Sequence, residues 1–294
     1  GKSTTANVMC GLQAPTSGKV YFKGKDVTKR TAEDRRHMGR VISVVFQNPA
    51  TALNPRMVVR EQLLDPMRVH NLGTEAEQEK RVKELLELTG LPSSAAEVLP
   101  GQLSGGQRQR VAIARALSLN PDAIIADEPT TALDVTIQAQ ILDLLRNLKD
   151  QINSSIMFIT HDLGVIAEMA DYVVVMYAGR IVEQGTADEI FAHPAHPYTI
   201  GLMASKPVVG RQVEKLYSIP GKVPNPINMP NYCYFKDRCE MCVNGCEGDY
   251  PCEVSISPTH KVSCYRYYDG KRPDLEEIVE EELAEGKENG KEGE

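Results

Sequence analysis

The sequence has 294 residues, of which 41% are hydrophobic and 25% charged, as is typical of a globular protein with a sizeable core. Its formal net charge is −7, but residues 271–294 carry ten acidic and four basic side chains, which leaves only −1 for the rest. A nearly neutral body argues against a broad basic surface for nucleic acid, and no apolar run approaches the roughly 20 residues of a membrane-spanning helix.

Short apolar runs alternate with helical patterns along the first two thirds of the chain. The runs lie in the segments VYF, VISVVF, AIIA, SIMFIT and YVVVMY. This alternation predicts an α/β fold with a largely parallel sheet. Between Gln47 and Asn120 helical patterns replace strand patterns, and Thr74 with Glu77 forms a capping box for a helix that Gly90 ends. We therefore expect a helical insertion between two sheet-forming segments.

After about Ser205 several prolines interrupt the regular pattern and a cluster of cysteines follows, which predicts a small, loop-rich extension. From Lys271 onward the chain consists mainly of Glu and Lys, and we expect this tail to be disordered. The expected organisation is a sheet-forming core at 1–47 and 121–205, a helical part at 48–120, a Cys-rich extension at 206–270 and an acidic tail at 271–294.

The chain opens with Gly1, Lys2, Ser3 and Thr4, which match the last part of a phosphate-binding loop. In such a loop the backbone N–H groups surround the phosphates at the N-terminus of a helix. Lys2 would reach the β- and γ-phosphates, and the Ser3 hydroxyl would ligate Mg²⁺. Four residues alone are weak evidence, so this interpretation depends on the remaining motifs.

A second motif, AIIADEPT, is an apolar strand that ends in Asp127 and Glu128. Open α/β sheets bind ligands at the carboxyl ends of their strands. Asp127 would hold the magnesium ion directly or through water, and Glu128 would orient a water molecule in line with the γ-phosphate.

A third motif, LSGGQRQRVAIARAL, contains four residues just before or at the start of a helix: Ser104, Gly105, Gly106 and Gln107. The serine offers a hydroxyl and the glycines expose backbone N–H groups, which suits an anion. A glycine-rich turn with a helix cap does not explain the whole string, so this motif is highly specific.

Together with VVFQNP, TALD and ITHD, these motifs resemble those of ABC transporter ATP-binding subunits, in the same order along the chain. The resemblance implies a RecA-like P-loop NTPase core with an ABC helical subdomain, binding ATP and Mg²⁺. It implies that Gln47 senses the γ-phosphate and Mg²⁺, that His161 contacts the γ-phosphate and that Asp134 carries communication between paired sites. It also implies that LSGGQ completes the site of an opposite subunit.

The segments HPAHPYTIGLMASKP and SIPGKVPNP resemble the C-terminal extension of oligopeptide and dipeptide importer ATPases, a group that includes nickel importers. The implied partners are a second, different ATPase subunit, two permease subunits and, indirectly, an extracytoplasmic substrate-binding protein. The implied location is peripheral, at the cytoplasmic face of the cell membrane. The alternatives are a nickel or other small-solute importer, a soluble non-transport ABC ATPase and a metal-binding regulator with a decayed ATPase half.

The resemblance leaves open which of the two paired ATPase subtypes the chain represents. It also implies that the sequence is truncated at its N-terminus, because the family has a strand and the first part of the phosphate loop before GKST. On that expectation the chain itself would be a weak ATPase.

Six of the seven cysteines lie between Cys233 and Cys264, whereas Cys10 is expected to be a buried filler. In the family a similarly spaced set binds a [4Fe–4S] cluster in some members, and here that set is Cys233, Cys239, Cys246 and Cys264. Four thiolates also suit Zn²⁺. Cys242 and Cys252 depart from the pattern, so other ligand sets and free thiols remain open.

Overall fold

The computed structural model describes residues 1–131, 133–151, 154–205, 217–225 and 227–268. The chain divides into two compact units, an N-terminal unit at Lys2–Val165 and a C-terminal unit that begins at Ile166 and also includes Gly1. The expected acidic tail, residues 271–294, lies outside the described residues.

The helices and strands of the described residues are given in chain order. The helices are α1 Lys2–Cys10, α2 Ala32–Val41, α3 Pro49–Ala52, α4 Val59–Val69, α5 Glu75–Leu88, α6 Gly105–Leu117, α7 Val135–Gln151, α8 Leu163–Met169, α9 Ala187–Ala192 and α10 Pro197–Ala204. The strands are β1 Tyr21–Phe22, β2 Lys25–Asp26, β3 Ile42–Val45, β4 Ala123–Asp127, β5 Ser155–Ile159, β6 Tyr172–Tyr177, β7 Arg180–Thr186, β8 Val254–Ser255 and β9 Lys261–Val262.

A parallel sheet of order β3-β4-β5 forms the centre of the N-terminal unit. The apolar residues that predicted β4 are buried in it, with Ile124 and Ile125 at most 3% exposed. Ile125 packs with Ala6 of α1 and Ile159 of β5, and Cys10 is half-buried at the border of this cluster. Helix α1 therefore packs against this sheet.

The segment between Gln47 and Asn120 is helical, as its sequence pattern predicts. Thr74 accepts a hydrogen bond from the backbone N–H of Glu77, whose carboxylate accepts one from the Thr74 N–H, so the predicted capping box is confirmed. Gly90 follows α5 with φ +65°, a conformation that glycine adopts without strain. In the described part of the chain, no helix is both long and apolar enough to cross a membrane.

The C-terminal unit contains an antiparallel sheet of order β6-β7-β9-β8. The segment YVVVMY does form strand β6, but it is not part of a parallel sheet. Ala178 and Gly179, both with positive φ, connect β6 to β7 in a two-residue turn. Such turns match the twist of antiparallel strands, so β6 pairs with the strand that follows it directly.

The side chain of Glu183 on β7 is 0% exposed and joins three segments of the C-terminal unit. Its carboxylate accepts hydrogen bonds from the backbone N–H groups of Ala195 (2.7 Å) and His196 (2.9 Å). It also lies 2.7 Å from Nε2 of His260, which is 2% exposed. Because a buried carboxylate is stable only when it is fully hydrogen-bonded, these three donors account for its position.

His196 gives the C-terminal unit a pH-dependent stability. Burial lowers the pKa of His196 to about 4, although the charge of Glu183 opposes this shift. In the unfolded chain the same ring takes up a proton near pH 6.5, so between these values the unfolded state binds more protons than the folded state. The free energy of unfolding of this unit should therefore fall as the pH is lowered from about 6.5 toward 4.

The slope of the free energy of unfolding against pH can be measured between about pH 6.5 and 5 by urea unfolding. Tyrosine fluorescence is a suitable probe, because the chain has no Trp and Tyr21 is the one Tyr before Ile166. In the control His196→Asn the side-chain oxygen can still accept the hydrogen bond that Tyr198 N–H donates to His196 Nδ1, but it cannot titrate. An equal slope in both proteins would contradict the assignment to His196.

Candidate functional site

The carboxyl ends of the three parallel strands bring the predicted site residues to one edge of the sheet. Gln47 lies two residues after β3, Asp127 ends β4, and His161 lies two residues after β5. Because β4 pairs in parallel with both neighbours, these ends are adjacent. The three residues therefore lie at one edge of the sheet.

Glu128 is the centre of this group. Oε2 of its carboxylate accepts hydrogen bonds from Nε2 of Gln47 (2.9 Å) and Oγ1 of Thr131 (3.0 Å). The other oxygen, Oε1, lies 3.3 Å from Nδ1 of His161. The backbone of Glu128 has φ +46°, and its N–H donates to the carbonyl of Ile159 (2.8 Å). A left-handed non-glycine residue costs about 1–3 kcal/mol, so the surrounding hydrogen bonds must hold this turn.

The charge state of Glu128 suits a hydrogen-bond acceptor. Burial raises the pKa of Glu128, but hydrogen bonds from Thr131 and His161, together with the charges of His161 and Lys2, outweigh this effect. The resulting pKa lies below the ordinary value of a Glu side chain, so the group is ionised at neutral pH. An ionised carboxylate can accept a hydrogen bond from a water molecule and hold it for attack.

Ser3 and Asp127 supply a pair of hard oxygen donors. The Ser3 hydroxyl donates to Oδ1 of Asp127 at 3.2 Å, which joins the start of α1 to the end of β4. Mg²⁺ is usually held by one or two protein oxygens together with phosphate oxygens and water, and this pair fits that requirement. Lys2 lies close enough for its charge to act on Glu128, and Thr4 lies beside Ser3 on α1. Gly1 groups with the C-terminal unit instead.

The LSGGQ segment forms the start of α6. Ser104 is the N-cap: its hydroxyl accepts from Gln107 N–H (3.2 Å), while Gln107 Oε1 accepts from Ser104 N–H (2.9 Å). These capping bonds stay within the loop and do not connect it to Glu128. Asp134 caps α7 by accepting a hydrogen bond from the N–H of Ile137 (2.9 Å).

The two glycines of this segment have different surroundings. A Cβ added to Gly106 would lie 2.6 Å from Cγ2 of Ile137, whereas one added to Gly105 would lie 3.6 Å from Cδ2 of Leu133. Real Cβ atoms do not approach as closely as the first distance. Gly106 is thus required for close packing of α6 against α7.

Gly106→Ala should destabilise the N-terminal unit by about 1–3 kcal/mol, because the new methyl group overpacks the contact with Ile137. Gly105→Ala is the matched control and should be neutral or slightly stabilising, because alanine is the better helix former and has space here. Urea unfolding followed by far-ultraviolet circular dichroism measures both. Equal stabilities for the two variants would contradict this packing role.

Thr131 is the site residue that the sequence interpretation missed. It lies three residues after Glu128, and its N–H donates to the Glu128 carbonyl at 3.1 Å. This tight turn places its hydroxyl against the carboxylate. The available signal was a hydroxyl residue three positions after a predicted catalytic acid.

The cysteine set lies in one region of the C-terminal unit. Burial raises the pKa of Cys239 to about 11 and that of Cys264 to about 12, and the charges of Cys233 and Cys246 add to both shifts. All seven cysteines are described and none forms a disulfide. Four soft thiols match the donor chemistry of an iron–sulfur cluster or zinc. However, among the described residues no three Cys, His, Asp or Glu side chains form a group that could hold a metal ion, so the arrangement does not fit a metal as it stands.

Comparisons with known proteins decide the family. The family model of the ABC transporter matches residues 1–131. The oligopeptide transport ATP-binding protein AppD of Bacillus subtilis is 43% identical over 276 residues, which are 91% of this chain and 84% of that protein. The chain belongs to the ABC transporter ATP-binding proteins. As a member of this family it has the ABC ATPase fold, a mixed α/β P-loop NTPase architecture.

A second family model, a further relative and two solved structures support the same family. The model of the oligopeptide/dipeptide transporter C-terminal region matches residues 182–246. The dipeptide transport ATP-binding protein DppD of Lactococcus lactis is 45% identical, with 88% of this chain and 77% of that protein covered. Among solved structures, the ABC cassette MJ0796, a dimer bound to ADP and phosphate, has a TM-score of 0.58 and 33% identity, covering 64% of this chain and 81% of that one. CbiO1 from Clostridium perfringens, part of an ABC transporter complex, has a TM-score of 0.59 and 32% identity, covering 66% and 75%.

Proposed function

We propose that the protein is the ATP-hydrolysing subunit that energises import of oligopeptides or dipeptides across the cytoplasmic membrane. The observation that carries the hydrolytic part is the ionised Glu128 carboxylate, held by Gln47 and Thr131 and facing His161 at the carboxyl ends of parallel strands. The match of residues 182–246 to the oligopeptide/dipeptide transporter region supports the cargo. We also propose that residues 1–47 and 121–205 form the nucleotide-binding core and that residues 48–120 form the helical subdomain, which contains LSGGQ.

In this proposal each residue of the site has a separate task. Lys2 and the backbone N–H groups at the start of α1, from Gly1 to Thr4, bind the β- and γ-phosphates. Ser3 and Asp127, with Gln47, would hold Mg²⁺, which when bound neutralises charge on the phosphate oxygens. Glu128 orients the attacking water and accepts its proton while the bond from the γ-phosphorus to the bridging oxygen breaks. The products are ADP and phosphate, and His161 contacts the γ-phosphate.

The LSGGQ segment would act on a second subunit. Its capping bonds do not join it to Glu128, and its helix N-terminus presents backbone N–H groups suited to a phosphate. We propose that it completes the site of a second, different ATPase subunit, with Asp134 carrying communication between the two sites. Two permease subunits and, indirectly, a substrate-binding protein complete the transporter, and the protein lies peripherally at the cytoplasmic face.

Purification after co-expression with candidate permeases tests this assignment. An importer subunit should copurify with two hydrophobic permeases, and its ATP hydrolysis should respond to them and not to nucleic acid. Strong stimulation by DNA or RNA, without permease association, would favour a soluble non-transport ABC ATPase instead. DNA of random sequence is an adequate probe, because electrostatic binding does not depend on sequence.

We also propose that the set Cys233, Cys239, Cys246 and Cys264 takes up an iron–sulfur cluster or Zn²⁺ after its thiols move closer and lose their protons. The support is that the four cysteines share one region, where Cys233 and Cys246 both help to raise the pKa of Cys239 and of Cys264. Iron, acid-labile sulfide and zinc contents of protein purified without air measure this directly. Cys10→Ser is the control and should leave these contents unchanged. The proposal would be contradicted if iron, sulfide and zinc each stayed below one equivalent per protein.

A further inference from the structure

Thr131 and Glu128 form a closed hydrogen-bonded turn at the carboxyl end of β4. The Thr131 hydroxyl donates to Oε2 of Glu128 at 3.0 Å, and the Thr131 N–H donates to the Glu128 carbonyl at 3.1 Å. Both bonds join residues three positions apart, so they move with Glu128 as one piece. The side chain of Glu128 is 21% exposed and therefore keeps a face open to solvent and ligand.

Gln47 is a different kind of partner for the same oxygen. Its Nε2 donates to Oε2 at 2.9 Å, but it comes from the loop after β3 and is separated from Glu128 by 81 positions. If Gln47 turns toward Mg²⁺ and the γ-phosphate, as the proposed function requires, its hydrogen bond to Oε2 is lost. Thr131 is then the donor that still occupies Oε2.

The other oxygen, Oε1, has His161 as its partner, with Nδ1 at 3.3 Å. The His161 side chain is 70% exposed, and when it turns toward the γ-phosphate, as the proposed function requires, Oε1 becomes available. A carboxylate with one oxygen bound has a defined rotation, so the free oxygen points to one place. This arrangement favours a single position for the attacking water.

We propose that Thr131 is a positioning residue for ATP hydrolysis, which fixes the Glu128 carboxylate by hydrogen-bonding Oε2 so that Oε1 receives the water. This inference rests on the proposed function, in which Glu128 orients the water. It assigns the task to the hydroxyl group and not to the methyl group or the backbone of Thr131.

Two substitutions separate these groups: Thr131→Val is isosteric and removes the hydroxyl, and Thr131→Ser removes only the methyl group. Thr131→Val removes the hydroxyl and should lower kcat about 10- to 100-fold, with KM for ATP within about twofold, because a hydrogen bond to a charged group is lost at the reacting centre. Thr131→Ser keeps the hydroxyl and should retain most of the activity. Both are measured in the assembled transporter.

Thr28→Val is the matched control in the same unit. The Thr28 hydroxyl accepts a hydrogen bond from Val20 N–H at 2.8 Å, so its loss should lower stability without changing kcat. A purely structural Thr131 would behave in the same way: Thr131→Val would lose stability and keep its kcat. Failure of Thr131→Ser to restore activity would also contradict a role for the hydroxyl.

A double-mutant cycle distinguishes failure of this inference from failure of the proposed function. In the Glu128→Gln background, Thr131→Val should cause little further loss, because the group it positions is gone. If Glu128→Gln itself leaves turnover unchanged, the proposed role of Glu128 is wrong. If Glu128→Gln is impaired but Thr131→Val has normal kcat, the inference about Thr131 alone is overturned.

Discussion

Glu128→Gln should lower kcat for ATP hydrolysis about 10²- to 10⁴-fold, because the amide cannot accept the proton of the attacking water. ATP binding should persist, since Lys2, Ser3 and Asp127 are unchanged. The variant should therefore accumulate in a nucleotide-bound paired state. Steady-state hydrolysis and the amount of ATP retained after gel filtration measure both effects.

Glu33→Gln is a matched control, since Glu33 is an exposed carboxylate on α2 in the same unit. It should leave both hydrolysis and ATP retention unchanged. Normal turnover by Glu128→Gln would show that another group orients the water. Loss of ATP retention together with turnover would instead assign Glu128 to binding.

Glu183→Ala should destabilise the C-terminal unit by about 3–5 kcal/mol. The substitution leaves His260 and the backbone N–H groups of Ala195 and His196 buried without their acceptor. Urea unfolding followed by tyrosine fluorescence reports on this unit, for the reason given above. The midpoint should shift to lower urea concentration while the slope stays similar.

Two further variants serve as comparisons for Glu183→Ala. Glu240→Ala removes an exposed carboxylate of the same unit and should change stability by less than about 0.5 kcal/mol. Glu183→Gln keeps one acceptor oxygen, so its loss of stability should lie between those of Glu240→Ala and Glu183→Ala. A loss below about 1 kcal/mol for Glu183→Ala would show that water or a rearranged loop satisfies the three donors.

The position of the nucleotide motifs could be predicted because it follows from chain order and strand direction. Apolar runs before Gln47, Asp127 and His161 predict parallel strands, and the ends of neighbouring parallel strands necessarily meet. Ser104 as a helix cap was likewise predictable, since a capping box is a local pattern.

Contacts that depend on side-chain direction could not be predicted in the same way. Thr131 reaches Glu128 only because the turn after β4 has a left-handed residue, and Glu183 meets His260 across 77 positions. The antiparallel pairing of β6 depended on Ala178 and Gly179, which the alternation of strands and helices does not reveal. The cysteine pattern predicted a common region but not the distances between the thiols.

Peptide uptake by proteoliposomes tests the central claim most directly. The vesicles would contain this protein with the second ATPase subunit and the permeases of the proposed transporter, with ATP inside and the proposed substrate-binding protein outside. Labelled oligopeptide should accumulate only with ATP, unlabelled dipeptide or oligopeptide should compete while Ni²⁺ should not, and Glu128→Gln should abolish uptake. ATP hydrolysis without peptide accumulation, or uptake that Glu128→Gln leaves unchanged, would contradict the account.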